Sequence, residues 1–514
     1  MNYKNFKLIT ADSRKVVPGA LFVAVKGFSS DGHDYIRSAI EKGATGIICE
    51  HLPEDDTLRG ACPPPDKGRG RGPLDTSPEG TQETMGGAGV ERSGTESPRS
   101  VSFSGVEFEV VENSRRALAL AADAFYGHPS GKLTLVGITG TNGKTTTVTL
   151  LYRLFKSLGY QCGLLSTIAN YVGDERYETE NTTMDPISLN ALMAQMVEKG
   201  CEYCFMEVSS IGVEQDRVTG LEFAMGIFSN LTHDHLDYHK TFAEYLRCKK
   251  LFFDNLSPKA IALINTDDKN GPVMVQNCKA TTVTYSVKGL ADHTARILEQ
   301  GVDGMLLKID GTETWVRLIG VHNAYNLLAI YSAAVCLGAD ASETLVALSK
   351  LESAPGRLEN ISGPRGITVV LDYAHTPDAL ENVLKCLRTT APERQLICLF
   401  GCGGDRDKTK RPEMAQIAQQ LSDRLVITSD NPRTEDPEAI VADIKAGLDA
   451  KGMAKTLTIT DRREAIRTAI LTAPERAVIL LAGKGHEDYQ IVGTEKRPFD
   501  EKEIVNETFK LMLQ

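Results

Sequence analysis

The sequence predicts an α/β protein built from three successive domains, and three observations support this fold class. Apolar runs typical of buried strands alternate with amphipathic helical stretches along most of the chain. A glycine-rich loop joins one such strand to a helix near residue 140. The 514 residues suffice for three domains of roughly 150 residues each. We place the domains at residues 1–112, 113–355 and 356–514.

Composition and charge exclude several classes of protein. With 41% hydrophobic and 24% charged residues, the chain is neither fibrous nor wholly disordered. The net charge of −11 argues against a nucleic-acid coat or a membrane-surface binder, since both need a basic face. The eleven cysteines are scattered, which favours reduced thiols, and no apolar run reaches the roughly 18 residues of a membrane span. We therefore expect a cytoplasmic protein that binds neither nucleic acid nor membranes. We also predict that it is a monomer.

The first domain begins with a strand, a helix and a second strand between Leu21 and Cys49, written LFVAV, YIRSAIEKG and TGIICE. The composition then changes abruptly. Residues 63–100 contain six prolines and eight glycines, and Leu74, Met85 and Val90 are their only large aliphatic side chains. Such a stretch buries too little apolar surface to offset its ordering entropy. We predict a disordered insertion over residues 63–100.

The second domain opens with the helix SRRALALAADAFYG and the strand LTLVGITG, which leads into a second helix. Its further strands are CEYCFMEVS, FAMGIFSN and AIALINTDD, and all three end in polar residues. Because parallel sheets bind ligands beyond the carboxyl ends of their strands, these endings predict one shared crevice. The third domain repeats the alternation with strands ITVVLDYA, QLICLFGCG, DRLVITSD and AVILLAGKG.

The strongest local signal is the loop Gly140-Thr141-Asn142-Gly143-Lys144-Thr145-Thr146 between strand and helix. Backbone N–H groups in such a loop cradle phosphates, Lys144 reaches the terminal phosphates, and Thr145 can bind Mg²⁺. Ile138 replaces the first glycine of the strict P-loop pattern. The strand and helix on either side nevertheless predict a phosphate-binding loop.

A second group comprises Glu207, His235 and Lys249. The carboxylate and the imidazole could hold Mg²⁺ beside the loop, or the histidines of DHLDYH could hold zinc. Taken alone, Lys249 reads as a solvated helix charge. Cys201 and Cys204 form a CxxC, which is typical of a metal knuckle or, since they begin a strand pattern, of buried core thiols.

These motifs resemble the ATP-dependent Mur ligases of peptidoglycan synthesis. In the order of that family the chain carries GTNGKTT, NTT, EVSS, Gln215 to Arg217, NLTHDHLDYH followed by a lysine, GVHNAYN, GRLE, DYAHTPDAL, GCGGDRDKTKRPEM, DNPR and GKGHE. The resemblance covers nearly the whole chain except the insertion. It implies a small α/β UDP-binding domain, a central P-loop ATP-binding domain with a parallel sheet, and a C-terminal Rossmann-like domain that binds an amino acid.

The resemblance also implies a reaction. ATP phosphorylates the D-Glu carboxylate of UDP-MurNAc-L-Ala-D-Glu, and the amine of meso-diaminopimelate then displaces phosphate from the acyl phosphate. ATP is the co-substrate and Mg²⁺ the cofactor. The implied catalytic residues are Lys144, Glu207, His235 and Lys249. Thr145 and Glu207 would hold one Mg²⁺, while His235 and Lys249, the latter as a carbamate, would serve a second.

The remaining implied site residues fall into three groups. The loop from Gly140 to Thr146 would bind ATP together with Asn326, Arg357 and Asp372. The UDP-linked peptide would contact Ser13, His33, Asn181, Thr182, Thr183, Ser209, Gln215 and Arg217. Diaminopimelate would contact Arg406, Asp430, Asn431, Pro432, Arg433, Gly483 and Glu487.

Three interpretations stay open at this point. The resemblance favours a diaminopimelate-adding enzyme, because in that family the arginine of DNPR accompanies enzymes that add diaminopimelate. A guanidinium can bind the distal carboxylate of this amino acid with two parallel hydrogen bonds. The fold also suits a lysine-adding enzyme or another Mur or folylpolyglutamate-type amide ligase. Ile211, which stands where the family usually has histidine, is the one hint of a non-catalytic relative.

Overall fold

A computed structural model describes residues 1–27, 30–53, 99–103, 105–179, 181–232 and 236–513, with the backbone alone at 99–103, 236 and 237. The chain divides into two compact units, Met1–His128 with Asp185–Ala191 and Gln215–Gly220, and the remainder. The predicted insertion lies outside the described residues except for Arg99 and Ser100, which begin a strand. His235 also lies outside them.

The first unit contains a five-stranded sheet in the order β1-β2-β3-β5-β4. Only β4 runs antiparallel to its neighbour. Apolar side chains of β2 and β3 alternate between two faces, so that Phe22 and Ile47 face one core and Leu21 and Ile48 another. The elements are β1 (Leu8–Thr10), β2 (Ala20–Val23), α1 (Ile36–Glu41), β3 (Gly46–Cys49), β4 (Arg99–Phe103), β5 (Val106–Val110) and α2 (Ser114–Phe125).

The second unit contains an eleven-stranded sheet in the order β16-β15-β14-β13-β12-β11-β6-β10-β7-β8-β9. Its strands are β6 (Thr134–Thr139), β7 (Cys162–Leu165), β8 (Asn170–Val172), β9 (Glu175–Tyr177), β10 (Tyr203–Glu207), β11 (Met225–Phe228), β12 (Ile261–Asn265), β13 (Thr281–Ser286), β14 (His293–Gly301), β15 (Gly304–Ile309) and β16 (Thr312–Val316). The seven central strands, β14, β13, β12, β11, β6, β10 and β7, pair in parallel. Antiparallel strands extend the sheet at both edges, β15 and β16 at one and β8 and β9 at the other. The sequence did not predict the hairpin strands.

Two of the helices that accompany this sheet begin at residues whose role at the start is clear. Thr241 accepts a hydrogen bond from the backbone N–H of Glu244 and starts α7, while Gly143 starts α3 with a positive φ of 88°. The helices are α3 (Lys144–Ser157), α4 (Pro186–Glu198), α5 (Ser210–Glu214), α6 (Leu236–His239), α7 (Phe242–Asp254), α8 (Gly271–Met274), α9 (Val321–Cys336) and α10 (Ala341–Lys350). The core of this part joins α3 and α9 to the sheet.

A six-stranded sheet in the order β17-β18-β22-β19-β20-β21 completes the second unit. Its strands are β17 (Glu359–Ser362), β18 (Thr368–Asp372), β19 (Leu396–Phe400), β20 (Arg424–Ile427), β21 (Thr456–Thr458) and β22 (Val478–Ala482), and β23 (Tyr489–Val492) pairs with β24 (Glu495–Pro498) as a separate hairpin. Its helices are α11 (Pro377–Thr390), α12 (Lys410–Leu421), α13 (Pro437–Lys445), α14 (Ala450–Ala454), α15 (Arg462–Leu471) and α16 (Glu501–Met512). Apart from β17, all strands of this sheet run parallel.

The register of the six-stranded sheet brings several motifs to one edge. Asp372 pairs with Ala482, and Ala482 pairs with Phe400. The segments that follow these strands, including Gly401 and Gly483, therefore leave the sheet side by side. The predicted α/β fold is confirmed. Among the described residues, every helix is too short or too polar to cross a lipid bilayer.

Candidate active site

The glycine-rich loop has a conformation that only glycine accommodates at two of its positions. A Cβ on Gly140, whose φ is 154°, would lie 1.9 Å from the Ser229 hydroxyl oxygen, and one on Gly143 would lie 2.5 Å from Asn326 Oδ1. The loop ends at the N-terminus of α3, where free N–H groups and the helix dipole favour phosphate. Lys144 Nζ donates hydrogen bonds of 2.9 Å to the carbonyl oxygens of Gly140 and Thr141.

A buried carboxylate faces this loop from the end of β10. Glu207 is 0% exposed, and its Oε2 accepts a 3.0 Å hydrogen bond from the Thr145 hydroxyl. Its Oε1 accepts a 2.8 Å hydrogen bond from the backbone N–H of Thr167. A carboxylate and a hydroxyl at a phosphate loop form the oxygen donor set that Mg²⁺ prefers.

Lys249 lies beside the same loop, so the interpretation of it as a solvated helix charge is wrong. The side chain, on α7, is 1% exposed. Its Nζ donates a 2.8 Å hydrogen bond to the Gly140 carbonyl oxygen and lies 4.7 Å from the centre of the Tyr245 ring. A lysine is buried in this way only when its ammonium group is compensated or modified.

A cavity of about 750 Å³ joins the loop to residues of the six-stranded sheet. Asn326, Arg357 and Asp372 line it together with Lys144 and Glu207. The sequence-predicted ATP residues are thus brought together although more than 200 positions separate the loop from Asp372.

The arginine of this cavity suits an anionic ligand, and backbone hydrogen bonds hold the nearby carboxylate in place. The Arg357 guanidinium lies 5.1 Å from the centre of the Tyr373 ring, and its buried Nε has no hydrogen-bond partner among the described residues. Asp372 accepts backbone hydrogen bonds of 2.8 Å from Leu358 and 2.9 Å from Ala374. Burial raises the pKa of Asp372. An orphaned buried guanidinium nitrogen is costly unless a ligand satisfies it.

The polar ends of neighbouring strands also meet at this cavity, as the sequence predicts. Ser229 directly after β11, Asn265 at the end of β12 and Asp268 shortly beyond it line the cavity. Asn265 Nδ2 donates a 2.7 Å hydrogen bond to the Ser229 carbonyl oxygen, and Asp268 accepts one of 2.7 Å from the backbone N–H of Leu231. These bonds hold the strand ends in fixed positions around the loop.

The NTT and EVSS motifs meet next to Glu207. The Thr183 hydroxyl donates a 2.9 Å hydrogen bond to the Glu207 carbonyl oxygen and accepts one of 3.0 Å from the Ser209 backbone N–H. Thr182 accepts a 3.1 Å hydrogen bond from Thr167 and lines the cavity. Asn181 precedes these threonines directly.

Four other sequence-predicted peptide-binding residues belong to the first unit. Both ring nitrogens of His33 have protein partners, Asp31 at 2.6 Å and the backbone N–H of Glu50 at 2.8 Å. Ser13 accepts a 2.8 Å hydrogen bond from a lysine ammonium at its carbonyl oxygen. Gln215 Oε1 accepts a 2.8 Å hydrogen bond from Arg217 Nη2.

The residues predicted to bind the amino acid lie at the carboxyl edge of the six-stranded sheet, and we call Asp430, Asn431, Arg433, Gly483 and Glu487 the DNPR cluster. Asn431 Nδ2 donates a 2.9 Å hydrogen bond to Glu487 Oε2. A Cβ on Gly483, whose φ is 119°, would lie 2.8 Å from Asp430 Oδ2. Arg433 has a positive φ of 51° and donates a 2.8 Å hydrogen bond from Nη1 to the Gly404 carbonyl oxygen. Pro432 is buried within this turn, and Arg406 is exposed on the neighbouring loop.

Sequence reasoning missed the buried arginine that ties these two loops together. Arg411 is 0% exposed and forms two hydrogen bonds to Glu435, of 3.1 and 3.0 Å. It also donates to Asp443 at 2.7 Å and to the Gly403 carbonyl oxygen at 3.2 Å. Glu435 in turn accepts a 2.6 Å hydrogen bond from the backbone N–H of Asp405. The position of Arg411 in KRPEM, at the start of α12, is the only signal that the sequence offers.

The cysteine pair is not part of a metal site in the described chain. Cys201 and Cys204 are buried thiols, 6% and 0% exposed, and burial raises the pKa of both. No group of three histidine, cysteine or acidic side chains suited to a metal occurs among the described residues. The interpretation of core thiols fits this environment.

The fold and the cavity define a class of nucleotide-dependent enzyme, and comparison with known proteins identifies its family. Residues 138–334 match the Mur ligase middle domain, residues 356–485 the Mur ligase glutamate ligase domain, and residues 5–58 the Mur ligase catalytic domain family. The chain belongs to the Mur ligase family, whose members are ATP-dependent amide-bond-forming ligases.

Similar proteins cover nearly the whole chain. A UDP-N-acetylmuramoyl-L-alanyl-D-glutamate--2,6-diaminopimelate ligase of Cytophaga hutchinsonii is 48% identical over 97% of this chain and 93% of its own. A ligase of the same name from Parabacteroides distasonis is 49% identical over 98% of this chain and 94% of its own. A solved structure with that name has a TM-score of 0.67 at 29% identity and covers 99% of this chain and 96% of its own.

Proposed function

We propose that this ligase adds meso-diaminopimelate to the D-Glu carboxylate of UDP-MurNAc-L-Ala-D-Glu in peptidoglycan precursor synthesis. The observation that carries the proposal is the DNPR cluster, in which Arg433 and Glu487 offer a cation and an anion at the edge of the sheet that also supplies Asp372. Relatives 46–49% identical that bear the diaminopimelate name support the same substrate. In this proposal the protein acts in the cytoplasm as a monomer, without nucleic acid or membrane.

The donor set at the loop fits Mg²⁺. Thr145 and Glu207 provide a hydroxyl and a buried carboxylate that already contact each other. Lys249 would join a second site as a carbamate together with His235, since a carbamate replaces the ammonium with oxygen donors. Bound Mg²⁺ would offset negative charge on the phosphate oxygens.

The protein's own groups account for the positioning of ATP. The N–H groups at the start of α3 would hold the phosphates, and Lys144 would turn from the Gly140 and Thr141 carbonyl oxygens toward the terminal phosphate. The unpaired Nε of Arg357 would donate a hydrogen bond to the phosphates from the opposite side of the cavity. Asn326 and Asp372 would contact the nucleoside.

The reaction then proceeds in two steps. An oxygen of the D-Glu carboxylate attacks the γ-phosphorus, the bond to the β-phosphate oxygen breaks, and ADP leaves. The amine attacks the carbonyl carbon of the acyl phosphate and loses a proton, and phosphate leaves as the amide forms. The NTT and EVSS segments beside Glu207 would hold the acceptor peptide, and residues 1–112, with Ser13 and His33, would bind its UDP moiety together with Gln215 and Arg217.

Diaminopimelate differs from lysine by a distal carboxylate. Arg433 would bind that carboxylate with its free guanidinium nitrogens, assisted by Arg406, while Glu487 and Asp430 would face the distal ammonium group. Asn431 bonds to Glu487, and Gly483 lies close to Asp430, which supports the roles given to these two carboxylates.

The test is ATP-dependent phosphate release with UDP-MurNAc-L-Ala-D-Glu in Mg²⁺ and bicarbonate buffer, with meso-diaminopimelate or L-lysine as the amine. We expect release with diaminopimelate at a kcat/KM at least tenfold above that for lysine. A preference for lysine would refute the assigned specificity while keeping the ligase. No release with either amine would refute the proposed reaction.

A further inference from the structure

A fully buried lysine lies at the centre of the DNPR cluster. Lys484 follows Gly483 at the end of β22, and its side chain is 0% exposed. Its Nζ donates hydrogen bonds of 3.0 Å to Asn431 Oδ1 and 2.7 Å to the Tyr489 carbonyl oxygen. Asp430 Oδ1 lies 3.4 Å from the ammonium and Glu487 Oε2 lies 3.6 Å from it. A lysine without solvent is retained only where its charge is balanced, and two carboxylates balance it here.

Lys484 and the backbone N–H of Ile491 together decide which way the Asn431 amide points. Asn431 Oδ1 accepts one hydrogen bond from Lys484 Nζ and a second, of 2.9 Å, from the backbone N–H of Ile491. Both neighbours are donors, so the oxygen must occupy this side. The amide nitrogen therefore faces Glu487, to which it donates one N–H at 2.9 Å. Its second N–H has no acceptor within the described part of the chain.

We infer that Lys484 is a positioning residue that selects the amino-acid substrate by locking Asn431 as a hydrogen-bond donor. In this orientation Asn431 presents N–H donors beside the Glu487 carboxylate, in the cluster that also contains the Arg433 guanidinium. This combination matches the carboxylate and the ammonium of one amino-acid centre. The reverse amide orientation would place an oxygen beside Glu487, and two acceptors would then repel both each other and the substrate carboxylate. The inference rests on the proposed function, because it assigns the specificity of the same site.

Lys484 also separates two like charges. Asp430 and Glu487 both approach Nζ, so removal of the ammonium takes the nearest counter-charge from a buried and a part-buried carboxylate. The carboxylate of Glu487 would then lose the fixed position in which it can accept the substrate ammonium. The predicted defect is therefore confined to the amino acid and leaves ATP binding intact, since Lys484 does not line the nucleotide cavity.

The experiment compares Lys484→Met with Lys496→Met in the full-length enzyme. Lys496 is a matched control because it is exposed on the adjoining hairpin and lies 3.7 Å from the ring centre of Tyr489, which Lys484 also approaches. Phosphate release gives KM for each amine, for ATP and for the UDP-linked peptide. For Lys484→Met we expect the KM for diaminopimelate to rise at least tenfold, with KM for ATP changed less than twofold. Lys496→Met should change neither.

A double-mutant cycle shows whether Lys484 acts through Asn431. In an Asn431→Ala background, Lys484→Met should raise the KM for diaminopimelate less than threefold further. If Lys484→Met does not fold, Asn431→Asp tests the orientation with Lys484 retained. It replaces the donating nitrogen by an acceptor, and the KM for diaminopimelate should again rise at least tenfold.

The possible results separate the two proposals. Unchanged KM for diaminopimelate in Lys484→Met, equal rises for ATP and the amine, or full additivity with Asn431→Ala would overturn the inference. If Lys484→Met does not fold, an unchanged KM in Asn431→Asp would overturn it. If the wild type uses L-lysine instead, the proposed function fails, and the same KM comparison with lysine decides the role of Lys484. If the wild type uses no amine, both proposals fail.

Discussion

Replacing Arg433 by lysine should lower the kcat/KM for diaminopimelate and leave the use of the other substrates nearly unchanged. Two backbone hydrogen bonds anchor this position, from Arg433 N to the Ile491 carbonyl oxygen at 3.1 Å and from Gly493 N to the Arg433 carbonyl oxygen at 2.7 Å. The substitution therefore leaves the turn in place. Nη1 is already bonded to the Gly404 carbonyl oxygen, so Nε and Nη2 remain for a carboxylate.

The size of this loss follows from the hydrogen bond to the distal carboxylate that lysine cannot form. A single ammonium that keeps the bond to Gly404 loses a charge-assisted hydrogen bond to the carboxylate, worth about 1.5–3 kcal/mol. This corresponds to a decrease in kcat/KM for diaminopimelate of about 10- to 150-fold. Phosphate release at saturating ATP and UDP-linked peptide measures the change. With L-lysine as the amine, which lacks the distal carboxylate, the change should stay below about threefold. Equal losses for diaminopimelate and ATP would refute the assigned pocket.

Other predictions concern the loop, the buried charges and the reaction path. Lys144→Met should lower kcat by about 100- to 1,000-fold because it removes a cation from the transferring phosphate, and activity within tenfold of wild type would contradict this role. Glu501→Gln should lower the free energy of unfolding in urea by about 3 kcal/mol. The carboxylate is the ion-pair partner of Arg462, which is 0% exposed and lies 2.7 Å away. An unchanged free energy of unfolding would argue against this pair. Hydrogen bonds from Arg411 lower the pKa of Glu435 to about 2 from 4.5, so its stabilisation is complete above pH 4.5 and is lost as the pH falls toward 2. The difference in unfolding free energy between wild type and Glu435→Gln should therefore disappear over this range, and a constant difference would contradict the assignment. A heavy oxygen isotope placed in the acceptor carboxylate should appear in the released phosphate, as an acyl phosphate requires, and unlabelled phosphate would exclude that intermediate.

The sequence predicted those parts of the site whose geometry follows from neighbouring residues. The loop from Gly140 to Thr146 needs only a strand before it and a helix after it, and both are recognisable from apolar periodicity. The polar endings of the parallel strands indicated the shared crevice for the same reason. These features depend on local pattern and on the general geometry of parallel sheets.

The buried charged residues could not be predicted, because their partners are distant in sequence. Lys484 meets Asn431 across 53 positions, and Arg462 meets Glu501 across 39. In the sequence alone, each of these residues resembles a surface charge. For the same reason Lys249, taken alone, is wrongly predicted to be a solvated charge on a helix. Only the fold shows that such side chains lie where solvent cannot balance them.

The hairpin strands of the larger sheet were missed for a different reason. The strand His293–Gly301 mixes charged and apolar side chains, and only Ala295 within it is buried, so packing on a buried face does not impose a clear alternation. Its pairing with Gly304–Ile309 even contains a register shift between Ile297 and Glu299.

The most direct test of the account is a competition between amines in a single reaction. The wild-type enzyme receives ATP, UDP-MurNAc-L-Ala-D-Glu and equal concentrations of meso-diaminopimelate and L-lysine, and mass spectrometry identifies the products. The account predicts that the diaminopimelate-containing tripeptide dominates and that one ADP forms for each amide bond. A predominance of the lysine-containing product, or ATP hydrolysis without any new amide, would contradict it.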